Sequence, residues 1–335
     1  MYRGITFAGN ILVDVVKSIA GYPQPGMLAN ITSVSQAVGG CVPNTAIDVA
    51  AMDPSVPLSA YGRTGDDAYG HYVTEQMAAH GIDVSHVRTT PGVPTSFSDV
   101  MSDTVSGDRT FFHARGANAL FSPADVDAGA LDCRIFHIGY ILLLDRMDEA
   151  DEEYGTALAR LLAQVQSRGI RTSIDVVSDA SGRFREKIVP ALRYCDYAIM
   201  NEIEGCGVSG LDPRNPDGTI CVENIRATME QMLALGVRDR VILHSKEAGF
   251  MLTSDGVFRS APAIDIDPAK IAGKVGAGDA FCAGCLYGLH NAMPDDRLLD
   301  FASAAAVCNL TAPDSVSGMR PAAEVAAIAA RGRLE

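Results

Sequence analysis

Gly276-Ala277-Gly278-Asp279-Ala280-Phe281 is the stretch around which the rest of the chain is read. Two glycines flank an alanine, an acid follows at once, and a run that reads as helix continues to His290. Small residues let the backbone approach a ligand closely, and the first turn of a helix holds N–H groups with no carbonyl partner. Those groups and the helix dipole favour an anion. A carboxylate in this place is ordinarily a cap. Beside a phosphate cradle it can instead take the proton of an attacking hydroxyl, as phosphoryl transfer to an alcohol requires. The stretch is not a Walker A loop, because Val275 stands where a Ser or Thr would hold Mg²⁺.

Composition narrows the field. The 335 residues are 47% apolar with a mean hydropathy of +0.12, which describes a globular α/β chain with a sizeable core. A net charge of −14 argues against nucleic acid or an anionic membrane as partner. A local anion site can still oppose that field, with Mg²⁺ if needed. Met1 to Ala8 is strand-like, no leader is expected, and the apolar run Ile135 to Leu144 is too short to span a bilayer. Eight scattered cysteines fit reduced thiols in a cytoplasmic protein. Cys282-Ala283-Gly284-Cys285 has C-x-x-C spacing but sits within the expected helix, so both thiols read as buried filler rather than redox or zinc ligands.

In order, Gly4 to Val16 reads as strand broken at Gly9-Asn10, with Asp14 as an acid in apolar company. Such an acid either faces water at a strand end or accepts hydrogen bonds from a ligand. Gly39-Gly40 opens a helix that carries Asn44, which offers both a donor and an acceptor. Tyr61 to Gly70 reads as strand, tight turn and helix start, with Asp66 as the cap and Gly81 at the helix end. Pro94 to Ala114 reads as a hairpin around Ser106-Gly107-Asp108-Arg109. From Ile135 onward, strands at Ile135–Ile138, Thr172–Val176, Tyr197–Met200 and Val241–Leu243 alternate with helices such as Glu153–Gln166 and Val222–Ala234. That alternation implies a mostly parallel sheet covered on both faces. Asn201-Glu202-Ile203-Glu204 closes one strand, where the Asn reads as a helix cap or as part of a crevice.

Together, Gly276 to Phe281, Gly39 to Ala46, the Gly62–Gly70 block and Asn201–Glu204 resemble the ribokinase-like (PfkB) carbohydrate kinases, in the family's order and over nearly the whole chain. The resemblance implies a single domain over 1–335, a three-layer α/β/α sandwich with a mostly parallel central sheet. Segments 11–37 and 89–118 would form a small β lid that excludes water during transfer. It implies an ATP-dependent sugar kinase in which Asp279 is the base and Gly276, Ala277 and Gly278 form the anion hole. Asp14, Gly40 and Asn44 would hold the sugar, and Arg115 would meet an anionic substituent. Asn201 and Glu204 would act on the hydration shell of Mg²⁺. Lys246, Gly249, Lys274 and Ser303 would lie along the nucleotide. Leu12 and Cys41 replace the Asn and Lys of ribokinases proper, so the sugar need not be ribose. Gly273-Lys274 stand where K⁺-activated members carry Asp-Thr, which leaves K⁺ dependence open. The alternatives are a nucleoside kinase of the same fold and a non-catalytic sugar- or nucleotide-binding regulator. Lid sheets of this kind often pair across a dimer, so the resemblance allows a homodimer through the lid.

Overall fold

In the computed structural model, which describes residues 3–106, 109–178 and 182–334, nine strands form one sheet. From edge to edge they are Phe258–Pro262, Ala248–Thr253, Arg240–His244, Tyr197–Asn201, Arg171–Val176, Ile135–Ile141, Ile5–Gly9, Leu58–Gly65 and Asp83–Thr90. All run in one direction except Ala248–Thr253, which pairs antiparallel with both its neighbours. Successive side chains leave opposite faces of a strand, and here both faces are apolar. Ile5, Phe7, Ile199 and Ile242 pack under the helices Cys41–Met52, Ala277–His290 and Asp295–Asn309. Ala8, Ala198, Met200 and Leu243 pack on the other side, under Ala157–Ser167 and Val222–Leu235. That double burial is why the strands read as short continuous apolar runs.

A second sheet of four strands has the order Ile31–Gly39, Leu12–Ile19, Ser96–Asp103, Arg109–Ala114. The break at Gly9-Asn10 is therefore a change of sheet. Asn10 secures it by donating its backbone N–H to Gly139 O (2.9 Å) and its side-chain amide to Tyr140 O (3.3 Å), while Asn118 donates to Asn10 Oδ1 (2.9 Å). Leu12–Ile19, Ser96–Asp103 and Arg109–Ala114 fall within the segments 11–37 and 89–118, and Ile31–Gly39 runs two residues beyond the first. Of the hairpin turn, Gly107 and Asp108 lie outside the described residues, as do Met1 and Tyr2 at the start.

Two local expectations are corrected. The helix expected over Glu153–Gln166 begins at Ala157, because Asp151 Oδ1 accepts the N–H groups of Glu153 and Tyr154 and holds them in a turn, and Thr156 caps the helix. The cap of helix Ala68–Ala79 is Asp67, not Asp66: its Oδ1 accepts Gly70 N–H at 2.9 Å and its Oδ2 accepts Thr95 N–H at 2.7 Å. Cys282 and Cys285 are free and buried. Among the described residues no helix is long and apolar enough to cross a membrane.

Candidate active site

The C-terminal ends of the parallel strands, the small sheet and the start of helix Ala277–His290 enclose a cavity of about 760 Å³. Ligands in open α/β sheets gather at such strand ends. Gly276 caps the helix with φ of 79°, and a Cβ there would come within 2.8 Å of the Ser315 backbone, so only glycine fits the turn. The first N–H to find a carbonyl of the helix is that of Ala280, on Gly276 O at 2.8 Å. The amides of Ala277, Gly278 and Asp279 thus stand ahead of the helical ladder, at its positive end.

Asp279 is 6% exposed and lines the cavity. Tyr140 donates its hydroxyl to both carboxylate oxygens, at 2.6 and 2.8 Å, and Asn44 donates Nδ2 at 2.9 Å. Burial raises the Asp279 pKa, and these two donors oppose that rise. Across the cavity, Asp14 is pushed up to about 7 by burial and then by the charge of Asp279, against the hydrogen bond from Ser98. A Cβ on Gly39 would lie 2.6 Å from Asp14 Oδ2, so the bare Gly39 leaves room for that carboxylate.

Strand register builds the recognition side. Asp14 pairs with Ser98, and Ser98 with His113, so the three side chains form one row across three strands. Ser98 Oγ meets His113 Nδ1 at 3.1 Å. Two buried polar atoms on the cavity-lining residues have no partner among the described residues: His113 Nε2 and Asn44 Oδ1. Native interiors rarely leave such atoms unpaired, so each is an available contact for a hydroxyl-rich ligand.

Asn201 and Glu204 also line the cavity, and they form a capping box at the helix Glu202–Ser209. Glu204 Oε2 accepts Asn201 N–H (3.0 Å) and Oε1 accepts Ser178 Oγ–H (2.8 Å). The cap reading and the crevice reading of Asn201 therefore hold at once. Burial raises the Glu204 pKa, although its hydrogen bonds resist.

Of the residues singled out in the sequence, Asp14, Gly40, Asn44, Asn201, Glu204, Lys274, Gly276, Ala277, Gly278 and Asp279 line this one cavity. Arg115, Lys246, Gly249 and Ser303 do not. Arg115 is held by Asp145 (2.6 Å) and Leu142 O (3.1 Å). The Lys246 side chain is 81% exposed beside Glu247, and Gly249 packs on the Phe281 ring. Ser303 is buried within its helix. Tyr140, Ser98, His113 and Asp175 also line the cavity without belonging to any motif, and no short-range spacing could have found them.

A family model described as "pfkB family carbohydrate kinase" matches residues 5–322. A 2-dehydro-3-deoxygluconokinase from Thermoproteus tenax is 26% identical over 289 residues, covering 84% of this chain and 82% of that protein. A fructokinase from Klebsiella pneumoniae is 28% identical over 269 residues, covering 78% and 80%. Among solved structures, an Arabidopsis thaliana ribokinase complexed with ribose and ATP superposes with a TM-score of 0.79 at 19% identity, covering 98% of this chain and 99% of that one. At that identity the superposition speaks for the fold alone.

Proposed function

The chain belongs to the pfkB family of carbohydrate kinases, and we propose that it transfers the γ-phosphoryl group of ATP to a hydroxymethyl group of a sugar or sugar-like alcohol. The observation that carries this reading is the pairing of a buried carboxylate, Asp279, with free helix-start amides on the same turn, opposite Asp14 in one cavity. Asp14, Asn44 Oδ1 and His113 Nε2 orient the hydroxyls. Asp279 accepts the proton of the attacking hydroxyl, and the amides of Ala277, Gly278 and Asp279 stabilise charge on the transferred group. Lys274, exposed on the cavity wall, adds a compact positive charge.

The donors at the strand end fit Mg²⁺. Asn201 and Glu204 offer an amide oxygen and a carboxylate, the hard oxygens that ion prefers, and the carboxylate's existing bonds suit action through water. Asn201 and Glu204 would hold Mg²⁺, which supplies charge neutralisation at the phosphates. The four-stranded sheet closes the cavity from above and excludes water, and its exposed Ile31, Val34 and Phe112 offer a second copy of the chain a face to cover. The charge balance and thiol state fit a cytoplasmic enzyme.

The test is ADP release from ATP and Mg²⁺ with a panel of sugars and nucleosides, with and without K⁺. We expect turnover with a sugar, and a loss on the order of 10²–10⁴ in Asp279→Asn with sugar binding by calorimetry retained. Near-normal turnover in that variant removes Asp279 as base. Release with nucleosides alone would instead assign a nucleoside kinase, and binding without release a regulator.

A further inference from the structure

At the cavity wall and just behind it lies a group of side chains to which the proposed phosphoryl transfer gives no role. His137 from strand Ile135–Ile141, Asp175 from strand Arg171–Val176 and Cys282 from helix Ala277–His290 are all buried. One ligand atom from each lies within 4.8 Å of the other two. Cys282 Sγ and His137 Nε2 are 3.8 Å apart. Two donors on one tetrahedral zinc ion, bonded at about 2.3 Å to sulfur and about 2.0 Å to nitrogen, stand roughly 3.5 Å apart. For that pair a few tenths of an ångström of side-chain movement closes the difference.

The surroundings match what a ligand set needs. His137 Nδ1 meets Ser173 Oγ at 3.0 Å, an outer hydrogen bond that fixes the ring and leaves Nε2 toward the sulfur. The Asp175 carboxylate accepts Val176 N–H at 2.7 Å and has no ion-pair partner among the described residues, although Glu204 and Asp279 add negative charge close by. A buried carboxyl in that setting either keeps its proton or meets a cation. Asp175 also lines the cavity, which gives an ion a route in.

We propose that His137, Asp175 and Cys282 bind one zinc-class divalent cation, with a fourth position left for water. Thiolate and imidazole donors select a thiophilic ion over Mg²⁺, so this site is chemically separate from Asn201 and Glu204. The C-x-x-C spacing is not the ligand pair, since Cys285 stands outside the group. Binding requires Cys282 to lose its proton to solvent, so uptake weakens as pH falls.

The full-length reduced protein is titrated with Co²⁺ as the probe, then with Zn²⁺. We expect a thiolate-to-cobalt charge-transfer absorption that saturates at one ion per chain, is displaced by Zn²⁺ and is untouched by excess Mg²⁺. Cys282→Ser should abolish the band and Cys285→Ser should leave it. Ser173→Ala should weaken Zn²⁺ binding by about 10–100-fold. No band, or a band that survives Cys282→Ser, overturns the proposal. If Cys282→Ser does not fold, crystals of the parent protein grown with Zn²⁺ decide at the zinc edge. Anomalous density between the three side chains supports the site, and its absence there rejects it.

Discussion

The two sheets of this molecule are built from the same alternation and put it to opposite use. In the nine-stranded sheet both faces are buried under helices, and the strand ends hold Tyr140 and Asn201 in fixed places. In the four-stranded sheet, Leu12, Asp14, Ser98, Phe111 and His113 line the cavity, while residues such as Ile31, Val34 and Phe112 stay exposed. A side chain locked by packing holds geometry, and one on a half-covered sheet can be exchanged with little effect on the core. On the proposed function, the large sheet and the helix Ala277–His290 would carry the reacting groups, and the small sheet would carry recognition of the acceptor.

Substitutions on either side test that division. After Asp279, the largest effect is expected at Asp14, on the small sheet. Asp14→Asn should lower kcat/KM by about 10², the worth of one or two hydrogen bonds to a charged group, mostly through KM. Its stability should move the other way. Burial pushes the Asp14 pKa from 3.8 to about 7, so the unfolded chain gives up this proton first. The stability linked to this group is complete below the ordinary carboxylate range and is lost as pH rises through about 7. Denaturant unfolding should find Asp14→Asn more stable than the parent above that pH, by at most roughly 4 kcal/mol, with the gap closing in acid. A gap that widens in acid would contradict this.

Next comes Tyr140, on the large sheet. Its hydroxyl opposes the upward shift at Asp279, so Tyr140→Phe should raise that pKa. The acid limb of the kcat/KM profile should move to higher pH, with about a tenfold loss near neutrality. A uniform loss at every pH would make Tyr140 a packing residue only. The smallest effect belongs to His113→Ala, which removes one neutral hydrogen bond. KM for the sugar should rise roughly two- to tenfold while kcat holds. A fall in kcat with KM unchanged would place His113 on the reacting side.

The site was legible in sequence where its chemistry is local. Gly276 to Asp279, Asn201 with Glu204, and Gly40 with Asn44 each need a particular turn or helix start, announced by glycines in the first and last and by the Asn-x-x-Glu spacing in the second. It was illegible where strand register or long-range packing decides. Asp14, Ser98 and His113 become a row only once three strands pair, and His137 meets Cys282 across 145 positions. Lys246 and Gly249 were placed by analogy with a turn that differs here. Lys246 stays exposed, and Gly249 carries no side chain because Phe281 occupies the space. The fold followed from apolar runs, and its misses fell at Asp66 and Glu153, where neighbouring aspartates, Asp67 and Asp151, set the boundary through hydrogen bonds.

The amides proposed to bind the anion and the carboxylate proposed to accept the proton share one turn of one helix, Ala277–His290. However that helix rides on its neighbours, the separation between them is set by backbone geometry alone and travels with it as a unit. What can drift is only the distance from this unit to the acceptor, which is held by a different sheet. A lineage of such proteins can thus trade one alcohol for another by editing the strands that face it, while the phosphorus-handling part is inherited whole.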